Sequence, residues 1–198
     1  MEKLRRVERV AALTKLLTDQ PGHLFSLSSF SQTFGAAKST LSEDMVTIRQ
    51  ALAELGIGTL ETVPGAAGGV RYLPNYTEER SLAVLEELAL KLSEPQRLIP
   101  GGFLYMTDLL FQADLMAKVG EISCTRFASL QPDCIMTVET KGIPLALMTA
   151  RAFGMPLVTA RRGSKVTEGS SVNINYVTGS SKRIQTMSLP RRAIEAGA

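Results

Sequence analysis

Residues 132–144 read PDCIMTVETKGIP, and the fold reading turns on them. The apolar run Cys134–Val138 predicts a short buried strand, and Glu139-Thr140-Lys141-Gly142 breaks it. Ile143-Pro144 then opens a pattern of helical period, with Pro144 suited to a first turn that needs no backbone N–H. The result is strand, tight loop, helix. Open α/β sheets bind ligands at the carboxyl ends of their strands, and the free N–H groups of a helix start favour anions. Lys141 offers a point charge for phosphate, and Gly142 allows either close backbone approach or a positive φ. On these residues alone the loop is equally an ordinary β–α connection with a solvated lysine.

At 198 residues, 44% hydrophobic and 21% charged, the chain has room for one large domain or two small ones with real cores. No apolar run approaches the roughly 18 residues of a membrane helix, and the opening MEKLRRVERV lacks the apolar stretch of a signal peptide, so a cytoplasmic location without membrane contact is expected. Cys124, Cys134 and the single histidine, His23, supply neither metal-ligand spacing nor a disulfide framework. Both cysteines read as small core residues. Any triad needing histidine would have to use His23, far from other candidates, so no catalytic residue, metal or cofactor is expected.

The net charge of +3 is unevenly spread. Residues 1–80 hold 9 Lys/Arg and 9 Asp/Glu, residues 81–140 hold 4 and 8, and residues 141–198 hold 9 and 2. The basic end follows Lys141 and includes Arg161, Arg162, Lys165, Lys182, Arg183, Arg191 and Arg192. It suits a polyanion, either nucleic acid or a polyphosphorylated small molecule, or forms a solvated basic face.

The first segment predicts a DNA-binding unit. A helix over residues 3–18 places Leu4, Val7, Val10, Ala11 and Leu17 inward and Arg5, Arg6 and Arg9 outward. A short helix over 28–34 follows, capped by Ser26 or Ser28 and ended by Gly35. After a turn, Leu41, Met45, Ile48, Leu52 and Leu55 define one buried helical face, Thr40 and Glu43 match a capping box, and Gly56 supplies the stop. Runs 58–63 and 70–73 around the tip Pro64–Gly69 read as a hairpin, which makes the unit a winged helix. The start of the recognition helix puts Lys38, Ser39, Thr40 and Ser42 in the major groove, Arg49 and Arg71 are candidates for phosphate, and Arg5 and Arg6 complete the expected DNA-binding set. The segment is neutral overall, so affinity requires local charge clustering and either a second copy or the basic end. Ser and Thr before a helix are also simple caps.

Pro74–Thr77 marks a boundary, giving domains 1–74 and 75–198. An amphipathic helix over 78–92 reads as a linker or dimer surface, followed by Phe103-Leu104-Tyr105, a helix over 113–130, the strand–loop–helix above and a strand over 155–160. This alternation argues for a parallel sheet with crossover helices. Val172, Ile174 and Tyr176 alternate with Asn173 and Asn175, and 183–189 returns, so a basic hairpin is expected over the sheet edge as a lid or a solvated loop, with a helix from Pro190 toward Gly197.

The chain resembles the purine operon repressors of Gram-positive bacteria. The matching segments are Gly56–Leu60, Thr62–Val70, Pro100–Gly102, Met136–Val138, Thr140–Pro144, Lys165–Ser170 and Ile184–Leu189, spread over the whole chain. The resemblance implies a winged helix fused to a type I phosphoribosyltransferase-like α/β domain without transferase activity. It implies a homodimeric repressor of purine biosynthesis and transport genes that binds double-stranded operator DNA and is released by phosphoribosyl pyrophosphate, with guanosine tetraphosphate as a candidate competitor. The effector would lie on Thr140, Lys141 and Gly142 under Arg161, Arg162, Lys165, Tyr176 and Lys182, with Phe103 or Tyr105 near a purine base. A purine phosphoribosyltransferase with a DNA-binding appendage is the alternative. Such domains carry a strand, two acidic residues and a Gly-Gly-Thr turn that hold the ribose 5′-phosphate, and residues 1–198 contain none. A C-terminally truncated member is therefore expected, with an incomplete sheet and exposed apolar surface.

Overall fold

The N-terminal half is built on three helices, α1 (Arg6–Asp19), α2 (Leu27–Phe34) and α3 (Lys38–Glu54), and a hairpin of β1 (Thr59–Val63) and β2 (Gly69–Leu73). The structure is a computed structural model that describes residues 4–163, 169–179 and 182–194. Strands β1 and β2 are antiparallel from Thr59↔Leu73 to Val63↔Gly69, and Phe25 adds a bridge to Val70 as a third edge. Leu13, Leu17, Phe30, Leu41, Ile48 and Val70 close one core between helices and hairpin. This is the expected winged helix.

Two local expectations are corrected. The inward face of α1 is Arg9, Leu13 and Leu17, one helical turn apart, while Val7 is 81% exposed. Arg9 is inside because Asp44 of α3 is fully buried and needs a counter-ion; Arg9 Nε donates to Asp44 Oδ2 at 2.5 Å. The second correction concerns the start of α3. Gly35 ends α2 in the left-handed conformation, φ 59°, and the chain re-enters helix directly after Ala37. Thr40 is thus inside the helix, and the capping box expected for Thr40 and Glu43 does not form.

Beyond Thr77, whose hydroxyl caps it, runs α4 (Glu78–Leu92), then a small hairpin of β3 (Leu98–Ile99) and β4 (Phe103–Leu104), the single turn α5 (Thr107–Leu110) and α6 (Ala113–Phe127). The helix expected to reach residue 130 tightens into a 3-10 turn at Ala128–Leu130. Next come β5 (Ile135–Val138), α7 (Ile143–Phe153), β6 (Leu157–Arg162), β7 (Ser171–Val177) and β8 (Ile184–Pro190). The sheet order is β5-β6-β8-β7.

That sheet is mixed, where a parallel one was expected. Only β5 and β6 run parallel, Ile135↔Leu157 to Val138↔Ala160, because the crossover through α7 reverses the chain twice. Strands β7 and β8 pair antiparallel from Ser171↔Pro190 to Val177↔Ile184, and β8 continues against the end of β6 at Arg161↔Ser188 and Arg162↔Met187. The hairpin extends the sheet at β6. Pro190 ends a strand and leads into a 3-10 turn at Arg191–Ala193, where an α-helix was expected to start; positions 195–198 of that expected helix lie outside the described residues. Helices α6 and α7 pack closely, since a Cβ on Gly120 would lie 2.7 Å from the Met148 carbonyl carbon. Strand β5 is a sheet edge with Met136 and Val138 about half exposed (52% and 49%).

Candidate DNA-binding and anion-binding sites

The outward face of α3 carries Lys38, Ser39, Ser42, Glu43, Val46 and Gln50, opposite the buried Leu41, Met45 and Ile48. Thr40 is half-buried. Ser42 turns back, its hydroxyl donating to Lys38 O at 2.9 Å. Most of the expected phosphate-binding arginines already have protein partners. Arg49 ties the hairpin to α3, donating from Nε to Leu60 O at 3.1 Å and from Nη2 to Thr62 Oγ1 at 2.8 Å. Arg71 pairs with Glu61 across β1 and β2 at 2.7 Å. Arg5 is paired with Glu8, its backbone N–H donating to Glu8 Oε2 at 2.9 Å and its Nε to Oε1 at 2.8 Å. Arg6 donates to Thr47 Oγ1 at 3.1 Å and lies 3.5 Å from Asp44 Oδ1, yet its side chain is 63% exposed beside α3. The Lys38 ammonium has no hydrogen-bond or ion-pair partner among the described residues.

The loop after β5 has the expected strand–loop–helix form. Glu139 N–H donates to Ala160 O at 2.9 Å, one step beyond the ladder, and the Glu139–Thr140 peptide is cis. Ile143 N–H donates to Thr140 O at 3.2 Å, and α7 starts with Ala146 N–H on Gly142 O at 3.0 Å. Pro144 stands in the first turn. Among the described residues, the N–H groups of Thr140, Lys141 and Gly142 donate to no backbone carbonyl, and Lys141 is exposed without a partner. Gly142 has ordinary helical angles, φ −75°. A positive φ is therefore not what it supplies, and a Cβ there would lie 2.7 Å from Thr137 Oγ1.

In the sequence Glu139 reads only as the break after an apolar run, and the structure gives it a partner set of its own. Its carboxylate accepts from the Arg162 N–H at 2.8 Å and faces Arg161 Nη1 at 3.5 Å. It thereby holds both arginines of β6 beside the loop. The signal was available in register: once β5 and β6 are parallel with Val138 opposite Ala160, residue 139 must flank residue 161. Tyr176 donates to Gln185 Oε1 across the hairpin at 2.9 Å, and Lys182 sits in the β7–β8 turn at φ 49° with its N–H on Thr178 O. Lys165 lies outside the described residues. Phe103 and Tyr105 are 68% and 46% exposed on the β3–β4 hairpin, which Arg97 ties to α5 through Asp108 at 2.8 Å and Tyr105 O at 3.2 Å. No hydrogen bond, ring contact or ion pair among the described residues joins them to the Glu139–Gly142 loop.

The far end of α7 reaches the winged helix. A Cβ on Gly154 would lie 2.7 Å from Pro21 O, one on Gly22 2.4 Å from Phe153 O, and Gly22 N–H donates to Tyr72 O of β2 at 2.8 Å. Arg151 Nη2 donates to Asp19 O at 3.5 Å, and Arg80 Nη1 to Gly56 O at 2.7 Å. Burial lifts the Glu121 carboxyl above its ordinary value within this seam, and pushes the Tyr72 hydroxyl up to about 12. A cleft of about 550 Å³ lies between the hairpin and α6, lined by Glu61, Arg71, Thr125 and Asp133 among others. It includes no residue of the Glu139–Gly142 loop. Cys124 is buried, and its thiol is pushed up to about 11, consistent with an inert core residue. No group of residues able to hold a metal is found among the described residues.

Residues 5–74 match the profile of the family described as bacterial purine repressor, N-terminal. The chain is 46% identical over 195 residues to the purine biosynthesis transcriptional repressor PurR of Bacillus subtilis (strain 168), a match covering 98% of this chain and 68% of that protein. The chain belongs to the PurR family. The purine biosynthesis transcriptional activator PurR of Lactococcus lactis subsp. lactis (strain IL1403) is 40% identical over 194 residues, covering 98% and 72%. A xanthine phosphoribosyltransferase of Geobacillus thermodenitrificans (strain NG80-2) is 34% identical over 91 residues, covering 44% and 47%. A winged helix joined to an α/β unit is the architecture read from the sequence, with a mixed sheet in place of the expected parallel one. No helix among the described residues is long and apolar enough to cross a membrane.

Proposed function

We propose that this PurR-family chain is a cytoplasmic transcriptional repressor of purine biosynthesis and transport genes that binds double-stranded operator DNA as a homodimer and releases it when phosphoribosyl pyrophosphate occupies the Thr140–Gly142 loop. Family membership supports regulation of purine genes. The observation that carries the effector reading is the loop itself, with three unpartnered N–H groups, a free Lys141 and two arginines held alongside by Glu139. Pyrophosphate meets all three kinds of donor there. Guanosine tetraphosphate presents the same diphosphate chemistry and would compete for the loop. Repression is preferred to activation on the closer similarity to the Bacillus protein, although a family member carries the opposite name.

Linkage requires the effector and operator each to weaken the other, by about 1–3 kcal/mol in allosteric systems generally. Fluorescence anisotropy with control-region DNA from purine genes is expected to show sequence-preferential binding that weakens about tenfold with saturating phosphoribosyl pyrophosphate. Unchanged affinity would sink the inducer reading and leave the DNA reading standing. The similarity to xanthine phosphoribosyltransferases motivates the alternative of a purine phosphoribosyltransferase with a DNA-binding appendage. Turnover of any purine base with the phosphoribosyl donor would favour it.

A further inference from the structure

Helix α3 shows which of its outward groups are spent on the protein and which are not. The Ser42 hydroxyl donates to Lys38 O, and the Thr47 hydroxyl donates to Glu43 O while accepting from Arg6. Glu43, Val46 and Gln50 are exposed, and no hydrogen bond or ion pair involves their side chains among the described residues. They fall at i, i+3 and i+7, one stripe of the helix. At 1.5 Å rise per residue the stripe spans about 10 Å, close to three base-pair steps of about 3.4 Å.

The chemistry of the stripe is unlike that of a backbone-binding surface. A face that held only phosphates would be cationic, whereas here a carboxylate and an aliphatic side chain (Val46, 47% exposed) occupy the centre, with Lys38 and Arg6 to the sides. A carboxylate set among phosphates is repelled unless it accepts from a base amino group. In the major groove the usual match for an acidic side chain is the cytosine N4 amino group, a branched aliphatic meets the thymine methyl, and an amide pairs bidentately with adenine N6 and N7. We propose that Glu43, Val46 and Gln50 are base-reading residues, taking a cytosine amino group, a thymine methyl and an adenine edge, while Lys38 and Arg6 hold flanking phosphates. This rests on the DNA-binding reading above and moves the sequence-reading stripe C-terminal to Ser39, Thr40 and Ser42.

The test uses a duplex that the 198-residue protein selects from a random-sequence pool, resynthesised with deoxyuridine for each thymidine in turn. That change deletes a methyl group and nothing else. At one position the wild-type protein is expected to lose about fourfold in affinity, the value of one buried methyl-sized group. Val46→Ala is expected to bind the thymidine duplex correspondingly less well and to ignore the deoxyuridine change at that position. Glu43→Gln is expected to lose a preference of about tenfold at one C·G pair. Deoxyuridine without effect at every position in the wild-type protein, or full discrimination retained by Val46→Ala, overturns the proposal. If no preferred duplex emerges from the pool, the regulator reading fails instead, an outcome recognisable before any variant is made.

Discussion

Asp44 is the residue whose removal should cost the winged helix most. Its carboxylate is fully buried on α3, held by Arg9 at 2.5 Å, with Arg6 at 3.5 Å on the solvent side. The pair joins α1 to α3, so it fixes the angle at which the outward stripe of α3 is presented. Breaking a buried pair by deleting one partner leaves the other charge uncompensated, and such losses run to about 3–5 kcal/mol. Asp44→Ala is expected to lose that much in urea unfolding. The double variant Arg9→Met with Asp44→Leu should recover most of it, since similar-volume apolar replacement of buried pairs is often neutral. Equal losses in the single and double variants would show that packing, and not the stranded arginine, sets the cost. Sequence periodicity could not reveal this pair: it counts every arginine as solvated, which is why α1 was turned to face Val7 and Ala11 inward.

At the scale of elements, what was legible follows the range of the interactions that make each one. Helix α7 and the loop before it were readable from Val138 to Pro144 because strand, turn and helix start are written in neighbouring residues. Hairpin β1–β2 was readable for the same reason, from its glycine-rich tip. The partner of β8 was not, because nothing in residues 184–190 says that Arg161 and Arg162 will lie opposite them. Nor was the use of Arg49 legible. Eleven residues separate it from Leu60, whose carbonyl it takes, so the expected phosphate contact is in the structure an anchor for the wing. Arg49→Met keeps the aliphatic stem and removes two hydrogen bonds, a loss of about 1–3 kcal/mol at typical values. Amide hydrogen exchange in residues 59–63 and 69–73 is expected to accelerate while α1 and α2 stay protected. Uniform acceleration across all three helices would mean that Arg49 supports the whole core rather than the wing.

Across the whole molecule, α7 runs between the two proposed functions. Its first turn carries the anion loop, and its last residue lies backbone to backbone against Pro21–Gly22, which in turn bonds to Tyr72 of the wing. Glu121, Tyr76, Arg80 and Arg151 meet behind that contact; desolvation raises the Glu121 pKa, opposed by the charges of Arg151 and Arg80. A carboxyl whose folded pKa lies above its ordinary value of 4.5 favours the folded state most when protonated. Its contribution is full below about pH 4.5 and declines as pH rises through the higher folded value. Glu121→Gln removes the titration and keeps the shape. The stability of wild type relative to this variant, followed by urea unfolding, is therefore expected to fall as pH rises above 4.5 and to level off once the folded-state carboxyl is ionised. A relative stability that rises over that interval would mean that Arg151 and Arg80 outweigh burial, so that the seam draws the two halves together through the ionised carboxylate.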